Sequence, residues 1–223
     1  LTNNIKNNKI FLFSMENFDN KLYVITESAI SKGRSNEEVV REAIKGGAEI
    51  IQLREKEWDK EQIKEEAVKL LKICKENNVL FIVNDYIDVA MEIGADGVHL
   101  GQSDISCMSI EEAREICKDK LIIGLSTHSV EQAVDADQED VDYITIGPIY
   151  KTRTKDFTVG VEIIKPVLDN VHKPVIVIGG INKNNINEVL GQGVRSVAVI
   201  SAVVAAEDVR KAASELVEKI KKV

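Results

Sequence analysis

Eight short apolar runs, spaced along one domain-length chain, constrain this protein's fold more than any other feature. They are Leu22–Thr26, Glu49–Leu53, Leu80–Val83, Gly97–Leu100, Leu121–Leu125, Tyr143–Ile146, Val175–Ile178 and Ser196–Ile200. Each is nearly continuous in apolar residues, the pattern of parallel strands buried on both faces. Longer amphipathic stretches lie between them. Asn36–Lys45 carries Val39, Val40 and Ala43 at helical spacing, with Ser35 placed to cap its start and Gly46 to end it. Lys60–Asn77 aligns Ile63, Ala67, Leu70, Leu71 and Cys74, while Asp88–Ile93, Ile110–Cys117, Val130–Ala136, Glu162–Asn170, Asn185–Leu190 and Asp208–Lys221 complete the set. Asp88 and Asp208 read as helix caps. Strict alternation of strand and helix implies right-handed crossovers in a parallel α/β sheet. Repeated eight times, it predicts a closed (β/α)8 TIM barrel, a single domain over residues 21–223. An open doubly wound sheet would need fewer strands, and no GxGxxG follows the first run. Residues 1–20 read as a loosely attached N-terminal extension.

Charge and composition narrow the function. The chain has 223 residues and a net charge of −8, which argues against a general nucleic-acid surface. It does not exclude anionic small molecules, because a few cations and helix N-termini suffice for a local phosphate site. Cys74, Cys107 and Cys117 are odd in number and lack CxxC spacing, so reduced thiols in a cytoplasmic protein are expected. No apolar run reaches the length of a membrane span, and the first 20 residues lack the pattern of a signal peptide. The expected partners are small molecules, neither nucleic acid nor membrane; self-association into a homo-oligomer is left open.

In such a barrel the active site lies at the C-terminal ends of the strands. Polar residues concentrate there: Gln52 to Lys56, Asn84-Asp85, His99 to Asp104, Ser126 to His128, Gly147 to Lys155, Gly179 to Ile181, and Ile200-Ser201. Arg54, Lys56 and Lys155 come from separate loops and suit a polyphosphate, with a planar fork beside mobile point charges. Asp85 and Asp104 close successive strands and suit one hard cation held through oxygen. Gly179-Gly180 and Ser201, at the ends of strands seven and eight, suggest a second phosphate site. Each feature has a plainer reading: an N-cap for either Asp, a solvated loop charge for Lys56, a tight turn for the glycine pair. His99 and His128 are more simply hydrogen-bonding residues than acid–base catalysts, and Trp58 a packing residue.

The runs QLREK (52–56), Asn84-Asp85, GADGVHLGQSD (94–104), GPIYKTRTK (147–155), Gly179-Gly180-Ile181 and VAVISA (197–202) together resemble the thiamine-phosphate synthase family, in family order. The resemblance covers about Leu22 to the C-terminus. It implies a Mg²⁺-dependent transferase that joins 4-amino-2-methyl-5-hydroxymethylpyrimidine diphosphate to 4-methyl-5-(2-hydroxyethyl)thiazole phosphate, releasing diphosphate. By the same resemblance Asp85 and Asp104 would be the metal ligands. Arg54, Lys56, Asn84, Ser126 and Lys155 would surround the diphosphate, Arg54, Lys56, Ser126 and Lys155 being the catalytic groups, and Gln52 would meet the pyrimidine. Thr152 and Thr154 would contact the thiazole phosphate, with Gly180 and Ser201 completing the phosphate cup, and Ile200 would be a further substrate-binding residue. The alternative is a thiazole tautomerase or a regulatory paralogue on the same barrel, which would not need the cations and both aspartates together.

Overall fold

The computed structural model describes residues 18–118, 120–153 and 155–223, without the side chain of Asp104. Strands β1 (Leu22–Ile25), β2 (Ile50–Leu53), β3 (Leu80–Asn84), β4 (Gly97–Leu100), β5 (Ile122–Thr127), β6 (Tyr143–Ile146), β7 (Val175–Ile178) and β8 (Ser196–Val199) form a closed barrel in sequence order. All pairs are parallel. Closure comes from β1 on β8, with Leu22 beside Val197 and Val24 beside Val199. The helices are α1 (Asn36–Lys45), α2 (Lys60–Glu76), α3 (Ile87–Ile93), α4 (Gln102–Ile105), α5 (Ile110–Cys117), α6 (Val130–Gln138), α7 (Ile164–Asn170), α8 (Ile186–Leu190), α9 (Ser201–Val204) and α10 (Val209–Ile220). No helix among the described residues is long and apolar enough to cross a membrane.

The differences from the sequence reading have local causes. Helices α4 and α9 and the 3₁₀ turn Ser28–Ile30 are each too short to show an apolar period. Strand β5 continues through Ser126 and Thr127, whose backbones pair with Thr145 and Ile146 although their side chains are polar. Asp208 caps α10 by accepting from the Lys211 N–H at 2.9 Å. Asp88 is not a cap: Tyr86 holds that position, and Asp88 lies in the first turn of α3, paired with Lys60. Ser35 and Glu38 form the capping box of α1. Gly46 ends α1 with a helical φ, so no left-handed turn requires it. Instead, a Cβ there would stand 2.5 Å from the Arg210 carbonyl and 2.6 Å from the Ala213 Cβ on α10.

Two apolar layers result. The outer one fills the space between strands and helices, with Trp58 packed against it. The inner one fills the barrel: Tyr23, Ile25, Ile50, Ile82, Ile122, Tyr143, Ile176 and Ala198, with Phe18 stacked on Tyr143 at 4.8 Å between ring centroids. Gly124 makes room for this layer, since a Cβ there would lie 2.1 Å from the Tyr143 ring. A packed interior of this kind leaves only the strand ends to build a site.

Candidate active site

A cavity of about 650 Å³ opens at the C-terminal ends of the strands. Its walls include Gln52, Arg54, Lys56, Asn84, Asp85, Ser126, Thr152, Lys155, Gly180, Ile200 and Ser201, so these residues from six strand ends converge as the sequence predicts. Thr154 and the side chain of Asp104 lie outside the described residues. The backbone of Asp104 belongs to α4, directly after β4.

The loop after β2 is held by a buried anion. Both Glu55 carboxylate oxygens accept from the Ser28 N–H, at 3.0 and 2.9 Å, and one accepts from the Asn36 amide at 3.0 Å. The Arg54 N–H donates to the Thr26 hydroxyl at 3.0 Å. With Glu55 anchored inward, its neighbours Arg54 and Lys56 are left to line the mouth, Arg54 half-buried and Lys56 exposed. Asp85 adopts a left-handed backbone, φ +65°, and its N–H donates to the His99 carbonyl at 2.9 Å. That conformation is uncommon outside glycine, although Asp and Asn tolerate it, and it concentrates at functional sites.

On the opposite wall the β6–α7 loop follows a cis Gly147–Pro148 bond. The Lys155 N–H donates to the Thr152 hydroxyl at 3.2 Å, and its ammonium lies 5.8 Å from the centre of the Phe157 ring. Phe157 meets His128 edge-on at 5.3 Å, and His128 Nδ1 is 2.5 Å from the Gly147 carbonyl. Gly179 and Gly180 have φ of +105° and +67°; Cβ atoms there would strike Pro148 at 2.4 Å and Tyr150 at 2.7 Å. The glycine pair is thus demanded by turn geometry and by close packing of two loops, and it also faces the cavity.

Several cavity residues were not singled out in the sequence. Tyr23 and Thr145 sit inside apolar strand runs, where a polar residue is masked by its neighbours, and the buried Tyr143 that hydrogen-bonds to Tyr23 was missed for the same reason. Inward-facing positions of the strands would have been the signal. Lys151 and Arg153 add cations beside Lys155, and Gln102 reaches the Ser126 carbonyl at 2.6 Å. His99 is buried: its Nδ1 lies 3.0 Å from the Tyr143 hydroxyl and its Nε2 2.9 Å from the Ser126 hydroxyl. Burial first, and the nearby Arg54 charge second, push its pKa down to about 3, so the imidazole is neutral. With both nitrogens engaged, it is poorly placed to accept a proton from a substrate. Among the described lining residues, five cations face two carboxylates, a cationic mouth on an acidic protein.

This geometry has close counterparts. The family profile described as thiamine monophosphate synthase matches residues 22–203. The thiamine-phosphate synthase of Pelotomaculum thermopropionicum is 45% identical over 192 residues, covering 85% of this chain and 87% of that protein. That of Pyrococcus furiosus is 44% identical, covering 88% and 92% respectively. The solved structure of thiamine phosphate pyrophosphorylase from P. furiosus superposes with a TM-score of 0.85 at 42% identity, over 93% of this chain and 98% of that one.

Proposed function

The chain belongs to the thiamine monophosphate synthase family, and from that premise we propose how its residues divide the work of the reaction. The enzyme is a transferase that condenses 4-amino-2-methyl-5-hydroxymethylpyrimidine diphosphate with 4-methyl-5-(2-hydroxyethyl)thiazole phosphate, giving thiamine phosphate and diphosphate. A carbon–nitrogen bond forms between the pyrimidine methylene and the thiazole nitrogen as the carbon–oxygen bond to diphosphate breaks.

Arg54, Lys56 and Lys155 receive the departing diphosphate. One observation carries this assignment: cations from loops distant in sequence meet across one cavity of about 650 Å³ that also exposes Asp85. Asn84 and Ser126 supply neutral hydrogen bonds to the same group, and Gln52 orients the pyrimidine. Thr152 and Thr154 contact the thiazole phosphate, with Gly180, Ile200 and Ser201 forming its cup. The backbone N–H groups at the start of α9 have no intrahelical acceptors and are suited to an anion. The aminopyrimidine delocalises positive charge on its methylene, so the diphosphate leaves early. The thiazole nitrogen attacks with its own lone pair and needs no general base, consistent with a neutral, doubly bonded His99. The protein contributes electrostatic stabilisation and positioning.

The donor set fits Mg²⁺ held by Asp85 and Asp104. An ion that takes one or two carboxylates and completes its shell with substrate phosphates and water matches such a site. Bound there, Mg²⁺ would neutralise charge developing on the leaving diphosphate.

The test is formation of thiamine phosphate from the two purified substrates, with Mg²⁺ or with excess EDTA, read as fluorescent thiochrome phosphate after oxidation. Product with Mg²⁺ and none with EDTA is expected. Product that survives EDTA would remove the metal from the reading. No product from folded protein under either condition would favour a barrel that binds thiazole phosphate without condensing it.

A further inference from the structure

At the cavity floor, five polar side chains form one continuous hydrogen-bonded line that passes through the fully buried Tyr143. The Gln52 amide nitrogen donates to the Tyr23 hydroxyl at 2.7 Å, and the Tyr23 and Tyr143 hydroxyls are 3.0 Å apart. Tyr143 is 3.0 Å from His99 Nδ1, and His99 Nε2 is 2.9 Å from the Ser126 hydroxyl. Both tyrosines are fully buried, Gln52 is 1% exposed and His99 6%. Gln52, Tyr23, His99 and Ser126 line the substrate cavity, and Tyr143 joins them from the barrel interior.

The direction of each bond follows from counting hydrogens. A tyrosine hydroxyl has one. Having accepted from Gln52, the Tyr23 hydroxyl has the Tyr143 oxygen as its acceptor among the described residues. Tyr143, having accepted, must donate to His99 Nδ1. A neutral imidazole carries one proton, which is therefore on Nε2 and is donated to Ser126 Oγ. The Ser126 hydrogen is then directed away from His99, toward the cavity. Thr145 Oγ1 donates to Ser126 Oγ at 3.5 Å, the limit of a hydrogen bond, and so does not compete for that hydrogen. The reverse polarity would turn Ser126 into a donor to His99 and leave the cavity facing an acceptor, the wrong sign for an anionic substrate.

We propose that the Gln52–Tyr23–Tyr143–His99 line is a polarised relay whose function is to hold Ser126 as a hydrogen-bond donor toward the pyrimidine diphosphate. His99, Tyr143 and Tyr23 are positioning residues, not catalytic ones. Burying a polar chain in a barrel core is favourable only when every member is satisfied, and a satisfied chain has a defined direction. Gly124 is part of the device, because any side chain there would displace the Tyr143 ring. The inference about the substrate rests on the synthase reading above; the polarity does not.

Nitrogen-15 NMR of the wild-type imidazoles reads the polarity directly. The chain has three histidines, so a His99→Gln variant assigns the signal. A pyridine-type Nδ1 and a protonated Nε2 are expected; a protonated Nδ1 would overturn the relay. Tyr143→Phe keeps the ring and removes one link. It should lower kcat/KM for the pyrimidine diphosphate about tenfold, the scale of one hydrogen bond, with KM for the thiazole phosphate unchanged. In a Ser126→Ala background the same change should cost less than about twofold, because its effect passes through Ser126. An undiminished loss in that background would mean that Tyr143 acts only on the fold. Absence of thiamine phosphate from the wild type would sink the functional reading, while the nitrogen spectrum would still decide the polarity.

Discussion

At Asp85, local strain and chemistry coincide. Its left-handed backbone aims the residue out of the strand end and into the cavity mouth, and Asn accepts that conformation as readily as Asp. Asp85→Asn should therefore leave the thermal midpoint nearly unchanged while lowering Mg²⁺-dependent turnover by about a hundredfold or more, the scale of one lost preorganised electrostatic contact. A wild-type rate in that variant would take Asp85 out of the metal site. His99 makes a different prediction. Its folded pKa, about 3, lies below the ordinary histidine value of about 6.5, so the unfolded chain takes up the proton first. The associated stability is fully present above about pH 6.5 and is lost as pH falls toward 3, at up to about 1.4 kcal/mol per pH unit. Denaturant titrations of wild type and His99→Gln across that window should diverge; parallel curves would show that His99 titrates normally.

At the level of elements, the loops that carry the site are held in place by packing and hydrogen bonds to neighbouring segments. The buried Glu55 carboxylate ties the loop after β2 to Ser28 and Asn36, and Gly179-Gly180 lets the loop after β7 pass against Pro148 and Tyr150. The outer helices are independent of that machinery. Gly46 touches α10 at the end of the barrel opposite the mouth, where a β-branched side chain would meet a backbone carbonyl that has no room to yield. Gly46→Val should destabilise the fold by about 1–3 kcal/mol through overpacking, with kcat unchanged per folded molecule. Matched denaturation and activity measurements check this, and a change in kcat at constant stability would contradict it.

For the whole molecule, the decisive feature is a local reversal of charge. A chain of net charge −8 gathers Arg54, Lys56, Lys151, Arg153 and Lys155 around one opening. That cluster exists only when the barrel is closed, so ligands that fit it must stabilise the fold by mass action. Inorganic diphosphate with Mg²⁺, at about a hundredfold excess over Kd, should add about 2.7 kcal/mol to the unfolding free energy. Addition of EDTA should remove most of that gain in a thermal-shift experiment. An equal shift without the metal would assign binding to the cations alone.

The barrel was legible in the linear order of residues because each strand and helix is a local pattern. Eight doubly buried apolar runs, separated by amphipathic stretches, leave few other ways to bury their faces. The ring of strand ends was legible for the same reason, since the fold fixes which end of each run faces the site. Gln52, Arg54, Lys56, Asn84, Asp85, Ser126, Thr152, Lys155, Gly180, Ile200 and Ser201 all line one cavity. What the residue order did not reveal depends on contacts between strands far apart in the chain. The role of Gly46 is set by a helix that begins more than 160 residues later, at Val209. The line from Gln52 through Tyr23, Tyr143 and His99 to Ser126 joins residues of five strands. Each hydrogen bond in it has a direction only because its neighbour's direction is already fixed. Periodicity along the sequence encodes which face of an element is buried; only closure of the barrel decides which buried polar groups meet.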